Sequence, residues 1–237
     1  MKSFRQFLYE VFISPRKGAK YGQVIFLVGG AATGKSTAVR RFIDSSSYKV
    51  INPDNVKELI SKAAKKGYPA FASMKGVDPD TPEGSQQLHQ FILQTKLSSK
   101  KAKLLTKGAG RSVLPNLLFD RTFSWAGEFK KISRNLIKSG YKAENIHVVF
   151  VFTDVNLALK RNLERTRTLP DDVIVSTNKG ARARFVELFF GRAKGAVANG
   201  DYYIIINRGD RVVKVKSAGK RVDRGGMIAA KVASMLT

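Results

Sequence analysis

The chain has 237 residues, of which 43% are hydrophobic, enough to bury one sizeable α/β core but not two full domains. It contains no cysteine, which excludes disulfides, thiolate metal sites and a cysteine nucleophile, so the expected metal is an oxygen-bound cation such as Mg²⁺. Lys and Arg number 43 against 18 Asp and Glu, and the formal charge of +25 predicts a polyanionic partner, with nucleic acid as the first expectation.

The first 20 residues are predicted to form an amphipathic segment and a linker. Four apolar residues share one helical face: Phe4, Phe7, Leu8 and Val11. Arg5 and Glu10 interrupt any signal-peptide core, and no apolar run approaches the roughly eighteen residues of a membrane span. We therefore expect no membrane association, and the lack of cysteine is compatible with a cytoplasmic location.

A glycine-rich loop follows the first predicted strand, residues 23–28. Residues 29–36 fit the pattern G-x-x-x-x-G-K-[ST], and a helix is predicted over residues 37–44. In this order of strand, loop and helix, backbone N–H groups converge on a phosphate and the helix N-terminus adds partial positive charge. The expected ATP ligands are Gly29, Gly30, Ala31, Ala32, Thr33, Gly34, Lys35, Ser36 and Thr37. Lys35 would reach the β- and γ-phosphates, and the Ser36 hydroxyl would hold Mg²⁺.

A carboxylate follows the second predicted strand, residues 48–51. Ligands of open parallel sheets bind at the carboxyl ends of the strands, which places Asp54 on the same side as the glycine loop. There it can orient an attacking hydroxyl and accept its proton, so Asp54 is the candidate general base. Helix capping by Asn52 or Asp54 is the alternative interpretation.

Residues 62–110 are predicted to be a substrate-side insertion. Residues 62–82 are rich in Gly, Pro and Lys and show weak periodicity, whereas a helix with a basic end is predicted over residues 83–106. Its inward-facing residues are Leu88, Phe91, Ile92 and Leu105.

The third predicted strand, residues 114–119, ends in Asp120, Arg121 and Thr122. An acid at this position holds a metal through water or positions substrate, so we expect Asp120 to serve the metal and all three residues to contact substrate. Motor ATPases carry a second acid where this chain has Arg121, which disfavours ATP hydrolysis as the purpose of the site. A helix follows with an apolar stripe that ends at Gly140: Trp125, Phe129, Ile132, Leu136 and Ile137.

Two arginines follow the fourth predicted strand, residues 147–152. Arg161 and Arg165 are spaced to share one helix face, where a phosphoryl group in transfer would lie between the two guanidinium groups and be neutralised by them. They begin a predicted lid, residues 161–171. The alternative is a basic stripe on a very basic protein. Residues 178–180 begin like a GTPase base-reading motif but lack its Asp, so we discard that interpretation.

The last predicted element is a β-hairpin of residues 202–206 and 212–215, joined by residues 207–210. We interpret residues 208–210, Arg-Gly-Asp, as turn chemistry alone. Residues 214–231 are either a track for a polyanion or a solvated basic surface. Taken together, the alternation of strands and helices predicts an α/β fold, a P-loop NTPase three-layer sandwich with a parallel central sheet, with residues 21–237 as one kinase domain.

These features resemble the P-loop polynucleotide kinase and zeta-toxin group of small kinases. The resemblance depends on the glycine loop, on Asn52-Pro53-Asp54 with Lys57, on residues 119–122, and on Arg161-Asn162 with Arg165 followed by Pro170. It covers roughly residues 23–190. It implies that Asp54 is the general base, that Lys35, Arg161 and Arg165 bind phosphates, and that Lys57 contacts substrate.

Two details refine the resemblance. Polynucleotide kinases often carry an Arg that touches substrate phosphate where this chain has Lys57, and the lysine is closer to the zeta-toxin pattern. Residues 1–8 are similar to the opening of many tailed-phage proteins, which would place the protein in the host cytoplasm.

Three functions fit these patterns. The first is an ATP-dependent kinase acting on a hydroxyl of nucleic acid, either a 5′-end or a hydroxylated base of DNA, which the net charge favours. The second is a zeta-toxin-like kinase of a nucleotide sugar, favoured by the Asn-Pro-Asp-x-x-Lys stretch. The third is a nucleic-acid-binding NTPase that uses ATP as a switch and phosphorylates no acceptor.

Overall fold

The computed structural model describes residues 21–43, 45–97, 113–123, 127–165, 168–190, 200–209 and 212–217. The strands are β1 (Val24–Val28), β2 (Lys49–Ile51), β3 (Leu117–Arg121), β4 (Ile146–Phe152), β5 (Tyr202–Asn207) and β6 (Val212–Ser217). The α-helices are α1 (Lys35–Phe42), α2 (Pro53–Lys65), α3 (Pro82–Thr95), α4 (Glu128–Lys138), α5 (Val155–Leu163) and α6 (Asp171–Phe190). Short 3₁₀ turns occupy Ser45–Ser47, Pro69–Met74 and Ala143–Asn145.

The strands form one sheet in the order β2-β3-β1-β4-β5-β6. Every neighbouring pair is parallel except β5 and β6, which form the antiparallel hairpin predicted at the end of the chain. Strand β1 lies at the centre, paired with β3 on one side and β4 on the other, so the chain crosses the sheet in opposite directions from it. The carboxyl end of β1 is therefore a topological switch point, where such sheets bind ligands.

Helices cover both faces of the sheet. On one face, alternate residues of β1 pack with side chains of α4 and α6, including Phe129 and Phe185. Phe26 stacks on Phe119 at 4.9 Å between ring centroids and meets the ring of Phe129 edge-on at 4.7 Å. On the other face, Ile25 and Leu27 pack with apolar residues of α1. The α/β three-layer fold with a parallel central sheet is confirmed.

Helices α2 and α3 form a smaller apolar cluster of their own. Its buried residues are Val56, Ile60, Leu88 and Ile92, and residues of the 3₁₀ turn Pro69–Met74 pack against it. The cluster is separate from the core of the sheet. Because α2 begins directly after β2, this cluster stands beside the carboxyl edge of the sheet.

Several predicted boundaries were wrong. Helix α3 ends at Thr95 because Lys96 adopts a left-handed conformation at φ 54°, so the helix predicted over residues 83–106 is interrupted there; residues 98–106 lie outside the described ones. Strand β3 starts at Leu117 because Pro115 has no N–H to donate, and the Asn116 side chain instead accepts a bond from the Gln23 amide. The 20-residue helix α6 was not predicted at all.

Other expectations fall on residues outside the described ones, namely the N-terminal segment 1–20, residues 98–110 of the insertion with Leu105, Trp125, residues 166–167 of the lid and residues 218–231. Among the residues that the structure describes, no helix is long and apolar enough to cross a membrane.

Candidate active site

The glycine loop connects β1 to α1 as predicted. It needs glycine at Gly34, where φ is 87°, and at Gly29, where a Cβ would lie 2.7 Å from the Val151 carbonyl oxygen. Ala32 also has a positive φ, 57°, and the Thr33 hydroxyl donates to the Gly30 carbonyl at 3.0 Å. The loop is thus curled in front of the N-terminus of α1, the geometry that suits a bound phosphate.

The ammonium group of Lys35 lies within this loop. Its Nζ donates to the carbonyl oxygens of Gly29 and Gly30 at 2.9 and 2.8 Å. Burial lowers the pKa of Lys35, the nearby charges of Asp120 and Asp54 raise it, and Arg165 lowers it further. The net pKa of Lys35 is below its usual value because burial has the largest effect. The effects of Asp120, Arg165 and Asp54 show that these three side chains lie close enough to act on the charge of Lys35.

This lowered pKa predicts a pH dependence of ATP binding. The phosphates of ATP would raise the pKa of Lys35, so binding takes up a proton at any pH between the lowered value of the free protein and the raised value of the complex. Affinity is full below that window and falls as the pH rises through it. Calorimetric titration at alkaline pH, in buffers of different ionisation enthalpy, should show proton uptake. Release of protons, or no exchange, would contradict the position of Lys35 beside the phosphates.

Asp120 and Asn52 meet at the carboxyl edge of the sheet. The Asn52 side chain caps α2 by accepting a bond from the Asp54 amide at 2.8 Å and donates to Asp120 Oδ2 at 3.1 Å. Burial and the charge of Asp54 raise the pKa of Asp120, whereas Lys35 and the bond from Asn52 lower it, with a raised pKa as the result. The capping interpretation therefore belongs to Asn52, and the carboxylate of Asp54 is left for other contacts.

The carboxylate of Asp54 is 65% exposed in the first turn of α2. Its Oδ1 is 3.1 Å from Lys57 Nζ, and Lys57 also donates to the Ser85 hydroxyl at 3.0 Å. The side chain of Lys57 is only 10% exposed. The sequence predicted that Lys57 contacts substrate, and in the structure its partners are Asp54 and Ser85. The bond from Lys57 to Ser85 joins α2 to α3.

The two arginines do not share a helix face, because α5 ends at Leu163. Arg161 is half-buried on α5, and its Nη2 donates to the Asn207 side chain at 2.7 Å. Arg165 follows the helix and is exposed. It still affects the charge of Lys35, so the two arginines approach the loop from different elements.

The base of the predicted lid is closed by Asn162. Its Nδ2 donates to the Leu169 carbonyl at 2.7 Å and its Oδ1 accepts from the Leu169 amide at 3.0 Å. These paired bonds join the end of α5 to the start of α6. Arg165 therefore belongs to a loop whose two ends are held together.

Arg121, the last residue of β3, has a partner inside the protein. The guanidinium of Arg121 pairs with Glu128 at the start of α4, and both side chains are largely buried. The sequence predicted that Arg121 contacts substrate, whereas in the structure its charge is paired with that of Glu128. Thr122 follows directly at the end of β3.

Three residues that contact the loop were missed from the sequence. The Ala31 amide donates to the Thr177 hydroxyl at 3.1 Å, and Asn178 Nδ2 donates to the Ala31 carbonyl at the same distance. Asn207, assigned to a hairpin turn, is instead the last residue of β5 and donates to the Thr33 carbonyl at 3.1 Å. Residues 178–180 lack the Asp of a GTPase base-reading motif, so the sequence assigns them no role. No local pattern links these residues or Asn207 to the loop.

A glycine loop with a half-buried lysine, two carboxylates at the same edge of the sheet and nearby arginines, on this fold, define a P-loop kinase, a phosphotransferase with an alcohol group as acceptor. The sequence model of the Zeta toxin family matches residues 13–213, and the chain belongs to that family. No curated protein matches the chain.

Two groups of solved structures share the fold. A structure from the PezAT chromosomal toxin–antitoxin system of Streptococcus pneumoniae gives a TM-score of 0.52 at 17% identity, covering 93% of this chain and 83% of that one. The AvrRxo1-ORF1:-ORF2 structure with ATP gives 0.55 at 17% identity over 88% of this chain. This chain spans 62% of the AvrRxo1 chain, less than two thirds of its length. The likeness to polynucleotide kinases, a phage origin and binding to DNA stay predictions.

Proposed function

We propose that the protein transfers the γ-phosphoryl group of ATP to a hydroxyl of a nucleotide sugar, with Asp54 as the general base. The observation that carries the proposal is the position of the Asp54 carboxylate. It is exposed, lies beyond the carboxyl edge of the sheet, and is close enough to Lys35 and Asp120 to affect the pKa of both. A carboxylate beside the phosphate site and open to solvent can hold an alcohol and accept its proton as the P–O bond forms.

The cations around the loop have a common role in this proposal. Lys35, Arg161 and Arg165 would neutralise the charge spread over the phosphoryl group during transfer. Residues 29–37 would bind the phosphates through backbone N–H groups other than that of Ala31, which donates to Thr177. ATP as the donor is supported by family membership and by the neighbouring AvrRxo1-ORF1:-ORF2 structure, which is a structure with ATP.

The residues at the site fit Mg²⁺. The hydroxyl of Ser36 is exposed at the N-terminus of α1, and the carboxylate of Asp120 lies half-buried on the adjacent strand. Both offer oxygen, the donor that Mg²⁺ prefers, and among the described residues no group of three His, Cys, Asp or Glu forms a closed cage. Mg²⁺ bound there would keep water and phosphate oxygens as further ligands and would screen the charge of the triphosphate.

A nucleotide sugar is favoured by membership of the Zeta toxin family and by the Asn-Pro-Asp-x-x-Lys stretch, in which Lys57 is closer to the zeta-toxin pattern than to that of polynucleotide kinases. The lysine and the carboxylate of this stretch are in contact at 3.1 Å. The acceptor would lie between Asp54 and the loop, beside the small cluster of α2 and α3.

The experiment is a screen for phosphorylated acceptors. The protein is incubated with γ-labelled ATP, Mg²⁺ and separate pools of nucleotide sugars, DNA and RNA. Label on a nucleotide sugar, absent with Asp54→Asn, is the expected result, and label on nucleic acid alone would contradict the choice of acceptor. Because one neighbour comes from a toxin–antitoxin system, expression in bacteria is also informative, with growth inhibition that Lys35→Ala removes as the expected outcome.

A hydroxyl of nucleic acid is the second candidate acceptor, favoured by the net charge of +25. Three segments, 1–20, 98–112 and 218–237, contain fourteen of the 43 basic residues and two of the 18 acidic ones. A polyanion bound by such segments would be released steeply by salt. Binding to oligonucleotides that salt does not weaken would remove this candidate. Phosphate release stimulated by DNA, without any labelled acceptor, would favour the NTPase alternative.

A further inference from the structure

Asn207 joins the P-loop to the arginine of α5. It is the last residue of β5 and is 3% exposed. Its Nδ2 donates to the Thr33 carbonyl at 3.1 Å, and its Oδ1 accepts from Arg161 Nη2 at 2.7 Å. Its backbone carbonyl accepts from the Thr153 hydroxyl at 2.6 Å, which holds the end of β5 to the end of β4. The side chain is therefore fixed on both its donor and its acceptor sides.

The other terminal nitrogen of Arg161 remains available. Its Nη1 is buried and has no hydrogen-bond partner among the described residues. It lies over the loop, 3.7 Å from the place where a Cβ on Gly34 would be. A buried, unpaired guanidinium N–H is costly, and a phosphate oxygen in the loop is the partner that would satisfy it.

Gly34 supports the same arrangement. A Cβ at this position would lie 2.2 Å from Asn207 Nδ2, closer than any real contact. Glycine is thus needed here for the approach of Asn207 as well as for the φ of 87°. The loop, Asn207 and Arg161 pack as one unit although they come from distant parts of the chain.

We infer that Asn207 is a positioning residue that holds Arg161 over the P-loop before ATP binds. The inference rests on the proposed role of Arg161 toward phosphate. Orienting the guanidinium during folding removes part of the entropy that ATP binding would otherwise cost. Asn207 contributes through Arg161 and makes no contact with the phosphates of its own.

A double-mutant cycle tests this inference. The dissociation constant of a non-hydrolysable ATP analogue with Mg²⁺ is measured for the wild type, Asn207→Ala, Arg161→Ala and the double variant. Each single variant should bind about tenfold more weakly, because Arg161→Ala loses the charge-assisted contact to phosphate and Asn207→Ala no longer holds Arg161 in position to make it. The double variant should bind within about twofold of Arg161→Ala alone. Single effects that multiply, or unchanged affinity in either single variant, would overturn the inference.

Asn116→Ala is the matched control. Asn116 is also a buried asparagine at a strand end, but it lies at the opposite edge of the sheet, where its Oδ1 accepts from the Gln23 amide. This variant should lose thermal stability and keep its affinity for the analogue. If it binds as weakly as Asn207→Ala, general loss of stability explains both and the inference fails. Should Asn207→Ala not fold, Asn207→Ser replaces it in the same cycle.

The cycle needs no phosphoryl acceptor. A screen that finds no phosphorylated product would therefore remove the kinase proposal while leaving the coupling between Asn207 and Arg161 measurable. A cycle without coupling would leave the roles of Asp54 and Lys35 untouched.

Discussion

Asp54→Asn should reduce the rate of phosphoryl transfer by about a thousandfold or more while leaving ATP affinity within about twofold of the wild type. The amide has the size of the carboxylate but cannot accept the proton of the attacking alcohol. The Asn52 cap of α2 uses the backbone amide of residue 54 and does not depend on its side chain, so the helix should be retained. Single-turnover transfer to the acceptor, with ATP binding by calorimetry, measures the two effects separately.

Glu58→Gln provides the matched control. Glu58 lies one turn further along α2, is exposed, and is 3.9 Å from Lys62, so this variant also removes one carboxylate from the same helix. It should transfer at the rate of the wild type. Transfer by Asp54→Asn within tenfold of the wild type would show that another group accepts the proton, and the proposed mechanism would be wrong.

Lys35→Met should lower ATP affinity about a hundredfold and abolish measurable transfer. In the free protein Lys35 Nζ bonds to two loop carbonyls, and burial already disfavours its charge. Phosphate oxygens would replace those neutral carbonyls as acceptors, and a bond between an ammonium group and a charged oxygen is stronger than one to a carbonyl. Lys35→Met therefore loses the contacts with the phosphates, and the affinity for ATP falls.

Stability distinguishes this effect from misfolding. A methionine fills nearly the same volume, and burial makes the charge of Lys35 unfavourable in the free protein, so its removal offsets the loss of the two bonds to loop carbonyls. The thermal midpoint of Lys35→Met without nucleotide should stay close to that of the wild type, and ATP should no longer raise it. Lys62→Met, on the exposed face of α2, is the control and should keep the ATP-dependent rise. If ATP still raised the thermal midpoint of Lys35→Met as it does that of the wild type, Lys35 would not contribute to nucleotide binding.

The P-loop and the strands were predictable because their signals are local. The run Val24–Val28 is buried on both faces, so every residue in it is apolar, and the glycines that follow meet backbone requirements within a few residues. Asp54 and Asp120 were predicted to lie near the loop because Asp54 follows β2 and Asp120 is near the end of β3, and both strands end at the same edge of the sheet. Helix α6 was missed because much of its stabilisation comes from tertiary packing, such as Phe185 against Phe150 and Phe152.

The sequence by itself determined that this protein has a phosphate-binding loop on a parallel α/β sheet, with acidic residues at the same edge. Those properties follow from residue patterns whose physical causes act within a strand or a turn. The tertiary structure decided the partners of Lys57, the element that carries Arg165, and the contact of Asn207 with Arg161. Asn207 and Arg161 are 46 residues apart, and only the packing of β5 beside β4 brings them together, since no pattern along the chain records a contact between separate elements.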